Sequence, residues 1–177
     1  RSMVTLFQKY AAEYGFNYLL LAAQGYQESR LDQSMRSAAG AIGVMQVTPR
    51  TASDPNVNIQ GIERLEPNIH AGAKYLRFIV DRYFMEEPMD SVNRALFAFA
   101  SYNAGPARVA QLREQAADLG LDPNVWFNNV EVVAGQEIGR ETVSYVRNIF
   151  KYYVAYTLVA QQQAAREKAL AAHRKRR

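Results

Sequence analysis

A carboxylate within an apolar segment is the first candidate for chemistry in this chain. Glu28 lies near the end of residues 18–29, one turn after Gln24. At helical spacing it shares a face with Leu20 and Leu21, the side that we expect to be buried. Because burial disfavours the charged form of a carboxyl group, Glu28 could keep its proton near neutral pH and act as a general acid. On this segment alone, the polar end of an ordinary helix explains Glu28 equally well.

The second candidate segment is a glycine-containing loop at residues 40–49. Gly40 and Gly43 let the backbone turn tightly and leave room for a ligand to approach. Met45 offers an adaptable apolar contact, and Gln46 offers both a donor and an acceptor. Glycine-containing loops are common, so this loop is weak evidence when taken alone.

Two further segments pair aromatic side chains with polar ones. Tyr102 and Asn103 lie together at a predicted helix end. Glu141 and Tyr145 are four residues apart, so they lie on one face of the last predicted helix. A tyrosine more often fills a core than contacts a ligand. The ordered occurrence of all four segments on one small chain nevertheless favours a binding site.

Together the four segments resemble the catalytic domain of the SLT-type lytic transglycosylases, murein-cleaving enzymes with a goose-lysozyme-like fold. The family pattern is Glu-Ser, then Gly-Leu-Met-Gln, then Ala-Tyr-Asn-Ala-Gly-Pro, then Glu-Thr-x-x-Tyr-Val. The matching stretches are 28–29, 43–46, 101–106 and 141–146, with Val44 and Ser101 in place of the usual Leu and Ala. Ser37 stands where the family has a serine that contacts the sugar. The resemblance runs from about residue 5 to residue 160.

The resemblance implies cleavage of the β-1,4 bond between N-acetylmuramic acid and N-acetylglucosamine in peptidoglycan. The reaction uses no water and leaves a 1,6-anhydromuramoyl end. Glu28 would be the catalytic residue, first as the acid and then as the base, since one carboxyl can serve both steps. No cofactor and no metal are implied. The substrate-binding residues that the resemblance implies are Ser29, Ser37, Gly43, Met45, Gln46, Tyr102, Asn103, Glu141 and Tyr145.

Two other functions remain open on the sequence. A lysozyme-like muramidase would hydrolyse the same bond with water, and ordinary glycosidases need two carboxyl groups. Asp32, in the loop after Glu28, is the nearest candidate for the second one. The other alternative is a catalytically silent wall-binding module. Metal or serine hydrolysis is disfavoured, because the chain has no cysteine and His70 and His173 lack triad or metal-ligand neighbours in the sequence.

The elements that position these residues are predicted to be helical almost throughout, so the fold class is all-α. The resemblance specifies a goose-type lysozyme-like helical domain with a structured loop or short β region beside Glu28. Residues 30–47 break any helical period and form that loop. Capping residues, prolines and glycines set the helix boundaries. The predicted helices are 3–14, 18–29, a short one after Thr48-Pro49, one from Pro67 with the apolar stripe Ile69, Ala73, Leu76, Ile79, Val80 and Tyr83, one after Asp90 to Tyr102, one from Pro106 to near Gly120, a short one from Asp122 to Trp126, and 140–170.

The net charge of +4 is concentrated at the C-terminal end. Residues 166–177 carry six Lys/Arg and one Glu, a balance of +5, whereas residues 1–165 carry 15 basic and 16 acidic side chains, a balance of −1. We therefore divide the chain into a catalytic domain, 1–165, and a basic tail, 166–177. The tail is expected to be a solvated helix end or a disordered terminus, with contact to an anionic envelope or membrane surface as the functional alternative. No aromatic residue interleaves with these charges, so nucleic acid is not an expected partner.

The chain is expected to be a piece of a longer protein. It begins Arg1-Ser2-Met3, without the apolar core of a signal peptide, and no apolar stretch is long enough to span a bilayer. The resemblance implies an upstream domain, peptidoglycan glycan strands as the partner, and a periplasmic location. Attachment to the outer membrane through the missing N-terminal part is a further option.

Overall fold

The computed structural model describes residues 2–176, and helices make up most of this range. Within it, eight α-helices follow one another, with π-helical turns after the fourth and the sixth. The helices are α1 Met3–Tyr14, α2 Tyr18–Ser29, α3 Pro49–Ser53, α4 Leu65–Ile79, α5 Ser91–Ala104, α6 Pro106–Asp118, α7 Glu131–Glu137 and α8 Arg140–Lys175, and the π-helical turns are Val80–Phe84 and Trp126–Val130. The predicted all-α class is confirmed. None of the described helices is long and apolar enough to cross a membrane.

Two helix starts follow the predicted capping residues. The Thr48 side chain accepts a hydrogen bond from the N–H of Thr51 at 3.2 Å, and Pro49 is the first residue of α3. At the start of α5, the Asp90 carboxylate accepts from the N–H of Asn93 at 2.7 Å. Such caps satisfy backbone donors that the first helical turn leaves unpaired, and each typically contributes about 1 kcal/mol. Both predicted starts are confirmed.

The predicted start and apolar stripe of α4 need correction. The helix begins at Leu65, so Pro67 lies within the first turn, where its missing N–H is tolerated. Tyr83, predicted on the apolar stripe, is 42% exposed, whereas Phe84 is 3% exposed. The π-helical turn Val80–Phe84 explains the difference, because its extra residue per turn rotates the following side chains by about 100°.

The predicted helix at residues 122–126 is wrong. Asp122 instead starts a turn, in which its carboxylate accepts from the N–H of Asn124 at 2.8 Å and its own N–H donates to Asn129 Oδ1 at 2.9 Å. Local side-chain bonds of this kind compete with helix formation. Trp126 is fully buried, and the next regular helix, α7, begins only at Glu131.

Helix α5 is central to the core. Its residues 96–100 are at most 1% exposed, and α4, α6 and α8 pack around it. Phe97 lies edge-on to Trp126, with 5.7 Å between the ring centroids. Burying one aromatic side chain contributes roughly 2–3 kcal/mol, so this packing stabilises the position of α5 relative to its neighbours.

The chain between α2 and α3 forms a structured loop with short β character, as predicted. Isolated antiparallel bridges join Arg36 to Ile42 and Ile42 to Val47. The N–H of Ser37 also donates to the carbonyl oxygen of Ala41 at 3.0 Å. This segment, residues 30–48, is called the cleft loop below.

Helix α8 is 36 residues long, and its first part packs on the body. The residues of α8 from 161 to 175 are all exposed. At 1.5 Å per residue this exposed part extends about 22 Å. Residues 166–175 of the tail are therefore a solvated helix end, and α8 continues without a break across residue 165; residue 177 lies outside the described residues. The division into a catalytic domain and a tail stays a prediction.

Candidate active site

Glu28 lies in the last turn of α2 and is partly buried. Burial is the main cause that raises its pKa, and the charge of Glu141 adds to it, so that the pKa of Glu28 reaches about 8. A carboxyl group with this pKa keeps its proton at neutral pH and can donate it. This setting agrees with what the apolar segment around Glu28 predicts.

Two other carboxyl groups near the motifs have different settings. Asp32 is exposed. Its Oδ1 accepts hydrogen bonds from Ser34 Oγ at 2.6 Å and from the Ser34 N–H at 2.9 Å, and these bonds lower the pKa of Asp32. Glu141 is exposed at the start of α8, close enough for its charge to act on Glu28. Glu141, rather than Asp32, is therefore the carboxyl to consider as a second acidic group.

Hydrogen bonds of Ser29 join the cleft loop to the end of α2. Its hydroxyl lies 2.9 Å from the carbonyl oxygen of Val44 and 3.2 Å from that of Gly25, and it accepts from the N–H of Asp32 at 3.2 Å. The residue is 1% exposed. This position corrects the substrate contact expected of Ser29, because its hydroxyl is bonded to backbone inside the protein.

Gly43 and Met45 shape the cleft loop from inside. Gly43 has a φ of +77°, and a Cβ there would lie 2.5 Å from Gln33 Oε1 and 2.6 Å from Asn68 Nδ2. Glycine is therefore required by both conformation and space. Met45 is fully buried against Gly72, where an added Cβ would come within 2.6 Å of the Met45 Cβ. The thioether lies in the core, which corrects the ligand contact expected of Met45.

Two amide side chains that the sequence analysis missed hold the cleft loop in place. Asn68, fully buried in α4, accepts from the N–H of Met45 at 2.8 Å and donates to the carbonyl oxygen of Ile42 at 2.8 Å. Gln33 accepts from the N–H of Val44 at 3.0 Å. The helical spacing in the sequence gives a signal for Asn68. It lies four residues before Gly72 and eight residues before Leu76, and therefore on the buried face of α4.

Ser37 and Gln46 are partly buried and keep groups available for a ligand. Ser37 Oγ accepts from the N–H of Ala41 at 2.9 Å, which leaves its proton as a donor. Gln46 uses Nε2 to donate to the carbonyl oxygens of Gly43 at 2.9 Å and Met35 at 3.3 Å. Its Oε1 is thereby left as an acceptor.

Tyr102 and Asn103 come from the end of α5. The Tyr102 hydroxyl donates to the carbonyl oxygen of Met45 at 2.7 Å and joins α5 to the cleft loop. Thr142 Oγ1 lies 2.8 Å from Asn103 Oδ1 and donates to it, which joins α8 to α5. The amide nitrogen of Asn103 then remains as a donor for a ligand.

Tyr145 reaches the site from α8. It is 4% exposed, and its hydroxyl oxygen accepts from Gln24 Nε2 at 3.1 Å. Burial first, and then the charge of Glu28, raise the pKa of both Tyr145 and Tyr102 well above the ordinary value. Both hydroxyls therefore stay protonated, and the effect of Glu28 on each places all three side chains in one region.

The four sequence segments thus meet at Glu28. Hydrogen bonds join α2 to the cleft loop through Ser29, the cleft loop to α5 through Tyr102, and α2 to α8 through Tyr145. Within residues 2–176, no group of three or more His, Cys, Asp or Glu could hold a metal ion. The arrangement offers a protonated carboxyl among neutral donors and acceptors, which suits acid catalysis on a polar, uncharged bond.

Most of the chain matches a known protein family. The family model for the Transglycosylase SLT domain matches residues 5–123. The chain belongs to this family. The match includes Glu28, the cleft loop and the end of α5, whereas Glu141 and Tyr145 of α8 lie beyond it. Glu141 and Tyr145 are placed at the SLT domain site because α8 packs against α2 and α5 and is hydrogen-bonded to both.

Similar proteins carry related names. Membrane-bound lytic murein transglycosylase F of Pseudomonas fluorescens (strain Pf0-1) is 34% identical over 172 residues, which cover 89% of this SLT domain chain and 34% of that protein. The chain also resembles lytic transglycosylase Slt from Pseudomonas aeruginosa, solved as an inactive mutant, with a TM-score of 0.65 and 25% identity over 89% of this chain and 24% of that one. The chain also resembles the 70 kDa soluble lytic transglycosylase from Escherichia coli, with a TM-score of 0.58 and 25% identity over 87% of this chain and 24% of that one. The chain spans about a third of the length of the curated relatives that it matches.

Proposed function

We propose that this SLT domain cleaves peptidoglycan glycan strands as a lytic transglycosylase, at the β-1,4 bond between N-acetylmuramic acid and N-acetylglucosamine. The observation that carries the proposal is the setting of Glu28, whose pKa of about 8 keeps it protonated where α2, the cleft loop, α5 and α8 meet. The names of the similar proteins support the same reaction.

In the first step Glu28 acts as the acid. It donates its proton to the glycosidic oxygen while the bond from that oxygen to C1 of the muramic sugar breaks. The bonding electrons leave with the oxygen, so the departing sugar carries a free hydroxyl and positive charge develops at C1. The acetamido oxygen of the substrate stabilises the positive charge at C1, in place of a second protein carboxylate.

In the second step the Glu28 carboxylate acts as the base. It removes the proton of the C6 hydroxyl of the muramic sugar, whose oxygen forms a bond to C1 and closes a 1,6-anhydro ring. Glu28 thereby regains its proton, and no water is consumed. One carboxyl completes the cycle because it is protonated at the start and at the end.

The neighbouring residues divide into two groups in this proposal. Ser37, Gln46 and Asn103 orient the N-acetyl and hydroxyl groups of the sugars through the donors and acceptors that their own hydrogen bonds leave available. Tyr102 and Tyr145 line the cleft and order Glu28. The second group supports the conformation of the cleft loop from inside the protein and consists of Ser29, Gly43 and Met45.

The exposed Glu141 favours one alternative, a muramidase that hydrolyses the same bond. Its charge acts on Glu28, so a second carboxyl stands near the acid. Inverting glycosidases place a water between two such groups, which are about 6.5–9.5 Å apart. A hydrolase would release reducing ends, and a transglycosylase releases anhydro ends that are one water lighter.

The test of the proposal is turnover of purified sacculi by wild type and by Glu28→Gln. The variant is expected to fold normally and to lose roughly 10²–10⁴-fold in rate, since general acid–base catalysis contributes that much. Glu137→Gln, an exposed change on α7, is the matched control and should keep full activity. Turnover retained by Glu28→Gln would remove Glu28 from the acid's role, and an inactive wild type would favour a silent wall-binding module.

We also propose a location in the envelope, in the periplasm of the cell. The support is that similar proteins are named membrane-bound and that the substrate lies there. The exposed helical tail offers a second contact, because Arg166, Lys168, Arg174 and Lys175 outnumber Glu167 on it. An anionic envelope surface is the partner that this charge suits.

A further inference from the structure

Gln24 is a fully buried amide on α2, beside apolar residues of the same helix. It is 0% exposed and lies one turn before Glu28, next to Leu21 and Ala23, which are 1% and 0% exposed. Its Oε1 is buried without a hydrogen-bond partner in the described part of the chain. Burying an incompletely bonded amide is unfavourable, so an aliphatic side chain would pack at this position at lower cost.

Among the described residues, the Gln24 side chain makes one hydrogen bond, and its partner is the site residue Tyr145. Nε2 donates to the hydroxyl oxygen of Tyr145 at 3.1 Å. A phenol that accepts on one side carries its own proton in another direction, away from the donor. The charged or titratable groups that act on this hydroxyl are Glu28 of α2 and Tyr102 of α5, and Glu141 of α8 acts in turn on Glu28.

We propose that Gln24 is a positioning residue, which turns the Tyr145 hydroxyl so that its proton is directed at the Glu28 carboxylate. The inference rests on the proposed function, in which the Glu28 carboxylate forms between the two steps of the reaction. Tyr145 then supplies a hydrogen bond when Glu28 has lost its proton and must act as a base. A donor on the phenol oxygen also strengthens the phenol as a donor in its turn.

A double-mutant cycle separates this role from simple packing. Gln24→Met keeps the length and bulk of the side chain but cannot donate, and Tyr145→Phe removes the hydroxyl. If Gln24 acts through Tyr145, Gln24→Met lowers kcat on sacculi by roughly 10-fold in the wild type and has no further effect in the Tyr145→Phe background. Full multiplication of the two losses, or no loss in Gln24→Met, would overturn the inference.

A second readout does not need turnover. The pKa of Glu28, followed by NMR titration of its side-chain carbon, should rise in Gln24→Met because the carboxylate loses a donor, and should not rise further when the change is added to Tyr145→Phe. A rise of equal size in both backgrounds would contradict the inference. An inactive wild type would refute the proposed function and leave this titration to decide the role of Gln24.

Two more variants guard against a folding defect. Leu21→Met changes a buried neighbour on α2 without removing a polar group and should keep wild-type kcat and titration. Gln24→Glu restores a donor while its carboxyl is protonated and loses it on ionisation. Its activity relative to the parent should therefore fall as pH rises in the wild-type background and stay constant in the Tyr145→Phe background, whereas a defect in packing or charge predicts the same fall in both.

Discussion

Two effects, burial and the charge of Glu141, both raise the pKa of Glu28 and keep it protonated. Burial removes water from the carboxyl, and the charge of Glu141 opposes a second negative charge. Desolvation is the larger cause, so the acid depends mainly on how α2 is packed. The same packing makes Glu28 unfavourable for stability whenever the pH favours its ionised form.

The stability of Glu28→Gln should therefore depend on pH relative to wild type. In the folded protein Glu28 keeps its proton up to about pH 8, whereas in the unfolded chain it ionises near the ordinary value of 4.5. Wild-type stability should fall as pH rises through that range and level off above it. At pH 7 the glutamine variant is expected to be more stable by about 2–3 kcal/mol.

Urea denaturation of both proteins at pH 4 and at pH 7 measures this difference. The gain should vanish at pH 4, where both states of the wild type hold the proton. A gain of the same size at both pH values would mean that Glu28 titrates normally. Glu137→Gln serves as the reference for an exposed carboxyl.

Several site residues could be predicted from the sequence, because their local pattern is distinctive. Glu28, Tyr102 and Tyr145 follow from motifs that place a polar group beside apolar residues. The positions of Ser29 and Met45 could not be predicted in the same way. Both lie in matching motifs, yet their side chains point inward, and only long-range packing determines that direction.

At the scale of elements, the cleft loop depends on amides that come from outside it. Asn68 accepts from the N–H of Met45 and donates to the carbonyl oxygens of Ile42 and Ile62, all at 2.8 Å. The loop therefore takes its shape from α4 as much as from its own glycines. A change at Asn68 should reach the site although the side chain is fully buried.

Asn68→Ala is expected to lower the free energy of unfolding by about 2–4 kcal/mol, because it leaves buried backbone groups unpaired. Turnover should fall as well, since Tyr102 binds the Met45 carbonyl in the same loop. Denaturation and a sacculus assay on the same sample measure both effects. Asn56→Ala, where the amide bonds only within the exposed segment at Asp54, should change stability by less than about 0.5 kcal/mol. Equal effects at the two positions would contradict the role of Asn68.

The exposed end of α8 is expected to bind anionic vesicles through charge. Lys and Arg near an anionic surface contribute about 1 kcal/mol each, so changing Arg174 and Lys175 to Gln should weaken binding roughly 10-fold or more. Sedimentation with phosphatidylglycerol vesicles at low salt, with phosphatidylcholine vesicles as the control, measures this. Binding should be lost at high salt. Equal binding to both vesicles, or none to either, would contradict the proposal.

The helices themselves were largely predictable, because their ends carry local signals. Thr48 and Asp90 act as caps, and Gly15 ends α1 with a φ of +74°. The π-helical turn at Val80–Phe84 carries no such signal, since its residues fit an α-helix equally well. The turn at Asp122 was missed because an aspartate before proline is compatible with both a helix cap and a turn.

At the scale of the whole molecule, the site depends on contacts between segments far apart in sequence. Gln24 meets Tyr145 across 121 residues, and Tyr102 meets Met45 across 57. The motifs indicated which segments belong together, and they indicated the family and the all-α class. They did not show the bonds between segments, because those depend on how α5 and α8 pack around the core.

In the proposed mechanism of the whole domain, one carboxyl serves both steps and no water takes part in the reaction. Digestion of sacculi in water enriched in oxygen-18 tests this directly, because a hydrolase must place solvent oxygen on C1 of the product. Mass spectrometry of the wild-type products should show 1,6-anhydromuramoyl ends without the label. Labelled reducing ends formed by the wild type and absent with Glu28→Gln would show instead that Glu28 activates water.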